Sequence, residues 1–169
     1  ICRDWQIYMN DHLEDIGDLG DENPLLLVED IARTNDWHVE RRSDDEVVVE
    51  IPAHWCTYLV YFTWREDAEA LHIACCYDLF VPEPLRPRIY ELLAKCNEQL
   101  WLGHFGLWLD ENMPLFRHTL LFGGDVPPMV EQFEELIDIA ISECERFFPA
   151  FNFVLGQGKT PDEALTHSM

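Results

Sequence analysis

Two runs of alternating residues, separated by one short charged turn, constrain this chain more than any other feature in it. Trp55 to Trp64 is aromatic and β-branched, with Tyr58, Val60 and Phe62 on one side and Leu59 and Tyr61 on the other, the pattern of a central strand. Leu71, Ile73, Cys75, Tyr77 and Leu79 then recur at every second position, opposed by His72, Ala74, Cys76 and Asp78. Between them lies the turn Arg65-Glu66-Asp67, far short of the roughly dozen residues that a parallel crossover requires. The two strands are therefore expected to be antiparallel neighbours, and a parallel doubly wound fold is excluded for this part of the chain.

The same reasoning extends in both directions. Trp37 to Arg42 and Glu46 to Ile51 flank the polar turn Ser43-Asp44-Asp45, with Pro52 closing the hairpin. Phe105 to Leu109 and Leu115 to Phe122 read as a second hairpin around Asp110-Glu111-Asn112, before Gly123-Gly124. Asn23-Pro24 supplies a helix start, with Leu25, Val28, Ile31 and Ala32 at helical spacing. A middle helix begins among Pro82, Pro84 and Pro87, where proline is tolerated, and carries the stripe Leu85, Ile89, Leu92, Leu93, Cys96 and Leu100 as far as Gly103. Pro127-Pro128 opens a last long helix. Val130, Phe133, Ile137, Ala140, Ile141, Cys144 and Phe148 form its apolar stripe, and Glu131, Glu134, Glu135, Asp138, Glu143 and Glu145 its acidic outer face. Thr160-Pro161-Asp162-Glu163 has capping-box spacing and predicts one short terminal helix. The expected fold is α+β with a mainly antiparallel sheet, in the order α-β-β-β-β-α-β-β-α.

Charge narrows the partners. The 169 residues contain 33 Asp plus Glu against 11 Lys plus Arg, a formal net charge of −22. Such a field repels phosphate backbones and anionic lipid surfaces, so neither nucleic acid nor membrane is an expected partner. With 48% hydrophobic residues the chain is globular rather than a disordered acidic tail. Its longest apolar runs, such as Tyr58 to Phe62, fall far below the roughly 20 residues of a membrane span, and no basic region precedes a signal-like stretch. Six cysteines without C-x-x-C spacing, most of them in apolar stretches, indicate a reduced, cytoplasmic protein. Adjacent Cys75 and Cys76 should point to opposite faces of their strand. Residues 1–22 hold seven acids against the single Arg3 and are read as an acidic arm preceding one α+β domain over 23–169.

Catalytic signatures are sparse. There is no glycine-rich phosphate loop and no G-x-S-x-G elbow, and no cofactor is implied. His38 with Glu40, and His72 with Cys76, share strand faces but do not amount to a ligand set. Cys96 near His104 is sequence proximity only, since Cys96 occupies a core position of its helix. A metal-dependent enzyme using His72, His104 or His118 is one alternative. A second is a nucleic-acid mimic whose acidic last helix occupies a basic groove. Aromatic and polar residues gather at element ends, Trp64-Arg65-Glu66-Asp67 at one turn and Trp101, His104, Phe105 and Trp108 after the middle helix. Tryptophan at such junctions combines apolar area with a donor and serves as a partner anchor or closes a core edge. Trp64, Arg65, Glu66, Asp67, Trp101, His104 and Trp108 are accordingly the candidate protein-binding residues. Arg65 and Arg117 also have the simpler role of pairing with nearby carboxylates.

Several longer segments carry a resemblance. Asn23-Pro24 through Glu29-Asp30-Ile31 to Asn35-Asp36-Trp37, Phe62-Thr63-Trp64-Arg65-Glu66-Asp67 with Glu69-Ala70-Leu71-His72, and Asn97-Glu98-Gln99-Leu100-Trp101-Leu102-Gly103-His104-Phe105 are similar to the YbjN-type family of bacterial proteins. So are Phe116-Arg117-His118 and Cys144-Glu145-Arg146-Phe147-Phe148-Pro149-Ala150-Phe151. The likeness spans roughly 23 to 165. It implies a sensory-transduction regulator without enzyme activity, and a fold like that of type III secretion chaperones, which are small acidic dimers that bind extended protein segments. On this reading the chain is a non-enzymatic protein-binding module with a regulatory or chaperone-like role, homodimeric, with a protein partner.

Overall fold

In the computed structural model, residues 23–123 and 128–168 are described; the acidic arm expected over 1–22 lies outside them, as does Gly124. The chain runs through α1 (Leu25–Thr34), β1 (His38–Ser43), β2 (Glu46–Pro52), β3 (Thr57–Arg65) and β4 (Ala70–Cys76). It continues through α2 (Arg86–Asn97), β5 (His104–Trp108), β6 (Met113–Leu121), α3 (Val130–Gln157) and α4 (Pro161–Ser168). All six strands join one sheet in the order β1-β2-β3-β4-β6-β5, and every pairing is antiparallel. The α+β class and the order of elements are those the sequence predicts, including the short terminal helix α4.

Register follows from the alternation. Val60 pairs with Val49 and Cys75, and Cys75 pairs with Phe116, which in turn pairs with Phe105. These residues share the face on which Leu25, Val28 and Ile31 of α1, Ile89, Leu92 and Cys96 of α2, and Phe133, Ala140, Phe147 and Phe151 of α3 complete one buried core. Its densest part is aromatic: Tyr77 stands 5.0 Å from Phe151 between ring centroids and Phe105 5.4 Å from Phe147. The Tyr77 hydroxyl donates to the Cys144 carbonyl at 3.0 Å, so this large ring is buried without an orphaned donor.

Both edges of the sheet are blunted, by different means. On β1 the exposed strand carries Glu40, Arg41 and Arg42, charges that discourage further strand addition. Arg41 turns inward and donates to Glu29 of α1 at 2.9 Å, which gives that buried carboxylate its partner. On β5 the device is a side-chain amide. The Phe105 N–H donates to Asn97 Oδ1 at 2.6 Å, and Asn97 Nδ2 donates to the Phe105 carbonyl at 3.1 Å. Asn97 thus stands in for a neighbouring strand at that residue.

Several boundaries differ from expectation for local reasons. α2 ends at Asn97, well before Gly103, because Asn97 is needed at the β5 edge and the chain leaves through turns at Gln99 and Leu100. Gly103 instead marks the entry to β5. Its φ is +67°, and a Cβ there would lie 2.2 Å from Phe116 Cζ. β4 stops at Cys76, although the Tyr77 N–H still reaches the Pro114 carbonyl at 3.1 Å. α3 runs straight through Pro149, a residue that removes one helical hydrogen bond. Burial of Phe147, Ala150, Phe151 and Val154 on the core side holds the helix through that break. Glu145 does not join the acidic outer face. Its carboxylate accepts hydrogen bonds from the His54 and Trp55 backbone N–H groups, at 3.1 and 3.3 Å, and from the Tyr58 hydroxyl at 2.7 Å. It thereby ties the β2–β3 loop to α3. The Thr160 capping box forms as predicted: the Thr160 N–H donates to Glu163 Oε2 at 2.9 Å and the Glu163 N–H to Thr160 Oγ1 at 3.3 Å.

Candidate functional site: the uncovered face of the sheet

Helices cover one face of the sheet; among the described residues the other face carries none. Alternation decides what stands on it. One rung of the ladder crosses the six strands as Glu40, Val48, Tyr61, Ala74, Arg117 and His104. The next crosses as His38, Glu50, Leu59, Cys76, Leu115 and Gly106. Val48, Cys76 and Leu115 are buried on this face yet stand outside the main core.

Ala74, Cys76 and Gly106 are the small residues of these two rungs, and a long side chain lies flat beside Gly106. That side chain is Arg117: a Cβ added at Gly106 would be 3.4 Å from an Arg117 terminal nitrogen and 3.7 Å from its Nε. Trp108 meets the Tyr61 ring edge-on at 5.5 Å, and the Arg42 guanidinium sits 5.3 Å from the same ring. One rung further, His72 Nδ1 and Thr119 Oγ1 share a hydrogen bond of 2.9 Å. Burial, then the Arg117 charge, lowers the pKa of His72 below its ordinary value, and the same two causes act in the same order on His104.

The candidate residues divide. Trp64 is half-buried at the end of β3 and packs on Phe122 at 6.2 Å, closing an edge of the core. Arg65 and Asp67 are exposed and pair with each other at 2.8 Å, in the turn that also contains Glu66. The mutual pair raises the Arg65 pKa and lowers that of Asp67. Arg65 stands in the rung of Ala70 and Leu121, two rungs along β3 from the rung of Tyr61, Arg117 and His104. Trp108 lies at the far end of β5 against Met113, and Trp101 protrudes before β5 with 99% of its surface exposed. The structure therefore brings His104 and Trp108 onto one face with Tyr61 and Arg117, and leaves Arg65, Glu66 and Asp67 as a separate turn.

Arg117 corrects an expectation. No described carboxylate pairs with it, and its Nε is buried without a hydrogen-bond partner. The sequence reading passed over Tyr61 and named His72 only as a candidate for metal-dependent chemistry, although the alternation of both against the core positions placed them on this face. The three histidines do not converge. His72 and His104 stand on the uncovered face, whereas His118 pairs with Ile73 on the opposite one. Among the described residues no three His, Cys, Asp or Glu groups are placed to hold a metal ion. No described helix is long and apolar enough to cross a membrane.

Fold and face together define an α+β protein with one helix-clad side and one open side bearing aromatic and guanidinium groups. The family model described as "YbjN: Putative bacterial sensory transduction regulator" matches residues 24–153. The chain belongs to that family. No curated protein and no solved structure matches it significantly.

Proposed function

We propose that this protein is a non-enzymatic protein-binding module with a regulatory, chaperone-like role in the bacterial cytoplasm, working as a homodimer. The observation that carries this reading is the uncovered sheet face. Sheets that bury one side under helices ordinarily present polar residues on the other; this one does so too, but sets Leu59, Tyr61, Trp108 and Leu121 among them, the last 76% exposed. Large aromatics beside guanidinium groups are the residues that anchor protein partners. Family membership supports a regulatory role; the dimer and the binding of extended segments are part of the proposal and rest on the resemblance read from the sequence.

The test is affinity capture from the native cytoplasm, comparing the wild-type chain with the double variant Tyr61→Ala, Trp108→Ala, with light scattering on the purified protein. The expected result is a dimer mass and one protein retained in stoichiometric amount by the wild type and lost by the variant. Equal retention by both would remove the face from the account, and a strict monomer with nothing retained would overturn the reading.

A second reading, the nucleic-acid mimic, is favoured by the run Glu131, Glu134, Glu135 and Asp138 along α3. Burial, then repulsion from Glu131 and Asp138, raises the Glu134 pKa, so like charges are already crowded there. Association that weakens steeply with salt and survives the Tyr61, Trp108 variant would select it.

A further inference from the structure

Arg117 is an exception in a chain rich in acids. Every other described Lys or Arg side chain holds a carboxylate, an amide or carbonyl oxygen, or an aromatic ring: Arg41 holds Glu29, Lys95 holds Asp162, and Arg88 donates to the Gly158 carbonyl at 2.7 Å. Among the described residues Arg117 holds none. Its side chain is half-buried and its Nε wholly so, without an acceptor among the described residues; the Arg86 Nε is buried unpaired as well, but a terminal nitrogen of Arg86 reaches Asn112, whereas no described group holds any nitrogen of Arg117. A buried donor left unpaired is costly, and native structures seldom retain one without a reason. Its guanidinium lies over Gly106, where an added Cβ would stand in ordinary van der Waals contact with it, 3.4 Å from a terminal nitrogen. Its rung neighbours are Ala74 and His104, with no carboxylate among them.

We propose that Arg117 receives a carboxylate from an extended segment of the partner protein, an aspartate or glutamate side chain whose apolar neighbours pack on Tyr61 and Trp108. This rests on the protein-binding reading and gives it a point of attachment. Guanidinium and carboxylate match as a planar two-bond pair, and an arginine that is already held in place loses little freedom on making it. A free small anion fits less well. The net charge of −22 disfavours its approach, and it gains nothing from the aromatic flanks. A segment carrying apolar residues offsets that repulsion by covering Tyr61 and Trp108.

The test uses the full chain labelled with nitrogen-15, with the Arg117 Nε–H resonance assigned by its absence from Arg117→Lys. The probes are acetyl-Leu-Glu-Leu-amide, its Gln counterpart and sodium acetate, at matched ionic strength. The expected result is a saturable shift of that resonance with the Glu peptide, at least tenfold weaker binding of acetate, and no shift with the Gln peptide. Arg117→Met should lose the Glu-peptide response while unfolding at the same or a higher urea concentration, because it removes an unpaired buried donor. No shift with the Glu peptide, an equal shift with the Gln peptide, or acetate binding as tight as the Glu peptide would overturn the proposal. So would a large loss of stability in Arg117→Met, which would make the arginine a structural element. Capture of the native partner by Arg117→Met as well as by wild type would sink the carboxylate assignment and leave the protein-binding reading intact. Failure of capture by the wild type would remove that reading itself.

Discussion

At the scale of single residues, Gly103 and His72 show how little freedom the sheet leaves its positions. Gly103 combines a left-handed backbone with a Cβ position occupied by Phe116 and the Arg117 carbonyl. Gly103→Ala should therefore destabilise the protein by about 2–4 kcal/mol, from left-handed strain plus overpacking, read from the midpoint of urea unfolding. His72 gives a pH-dependent test. Burial, then Arg117, holds its pKa below the ordinary 6.5. As pH falls through 6.5 and below, the unfolded chain takes up this proton before the folded one does, so the contribution to stability declines in that window. Between pH 7.5 and pH 5.5 the wild type should lose more stability than His72→Gln. Parallel pH profiles for the two would contradict the placement of His72. Neither feature was legible beforehand: a glycine after a helix reads as a stop signal, and a histidine in an alternating strand shows its face but not what lies across from it.

At the scale of elements, much was legible. The strands announced themselves because core positions alternate so regularly, and links of a few residues allowed only antiparallel pairing. Helix ends were harder, since they are set by contacts distant in sequence. α2 stops at Asn97 because that amide closes the β5 edge, a role visible only once β5 is in place. Asn97→Ala should cost about 2 kcal/mol by orphaning both polar groups of Phe105, and amide exchange at Phe105 should quicken well beyond that of its β6 partner Phe116. Unchanged exchange at Phe105 would remove the edge-closing role. Glu145 taught the same lesson, because periodicity placed it with its acidic neighbours while loop donors at His54 and Trp55 drew it inward. The candidate site was half legible. Trp108 and His104 stand on the uncovered face, but Arg117 was assigned a carboxylate that none of the described residues supplies, because strand alternation names a face and leaves partners undetermined.

At the scale of the whole molecule, the two sides of the sheet divide the labour. The helix-clad side accounts for stability, with one core joining α1, α2 and α3 to the central strands. The uncovered side gathers a guanidinium that no described residue pairs and an aromatic pair in a chain of charge −22. That this side is the binding surface is tested most directly by photo-crosslinking in the native cytoplasm. A benzophenone amino acid at position 61 is compared with the same residue at position 135, on the exposed surface of α3. The account predicts a single cross-linked protein adduct from position 61 and little from position 135. Adducts from position 135 alone would contradict it and move the binding surface to the acidic helix.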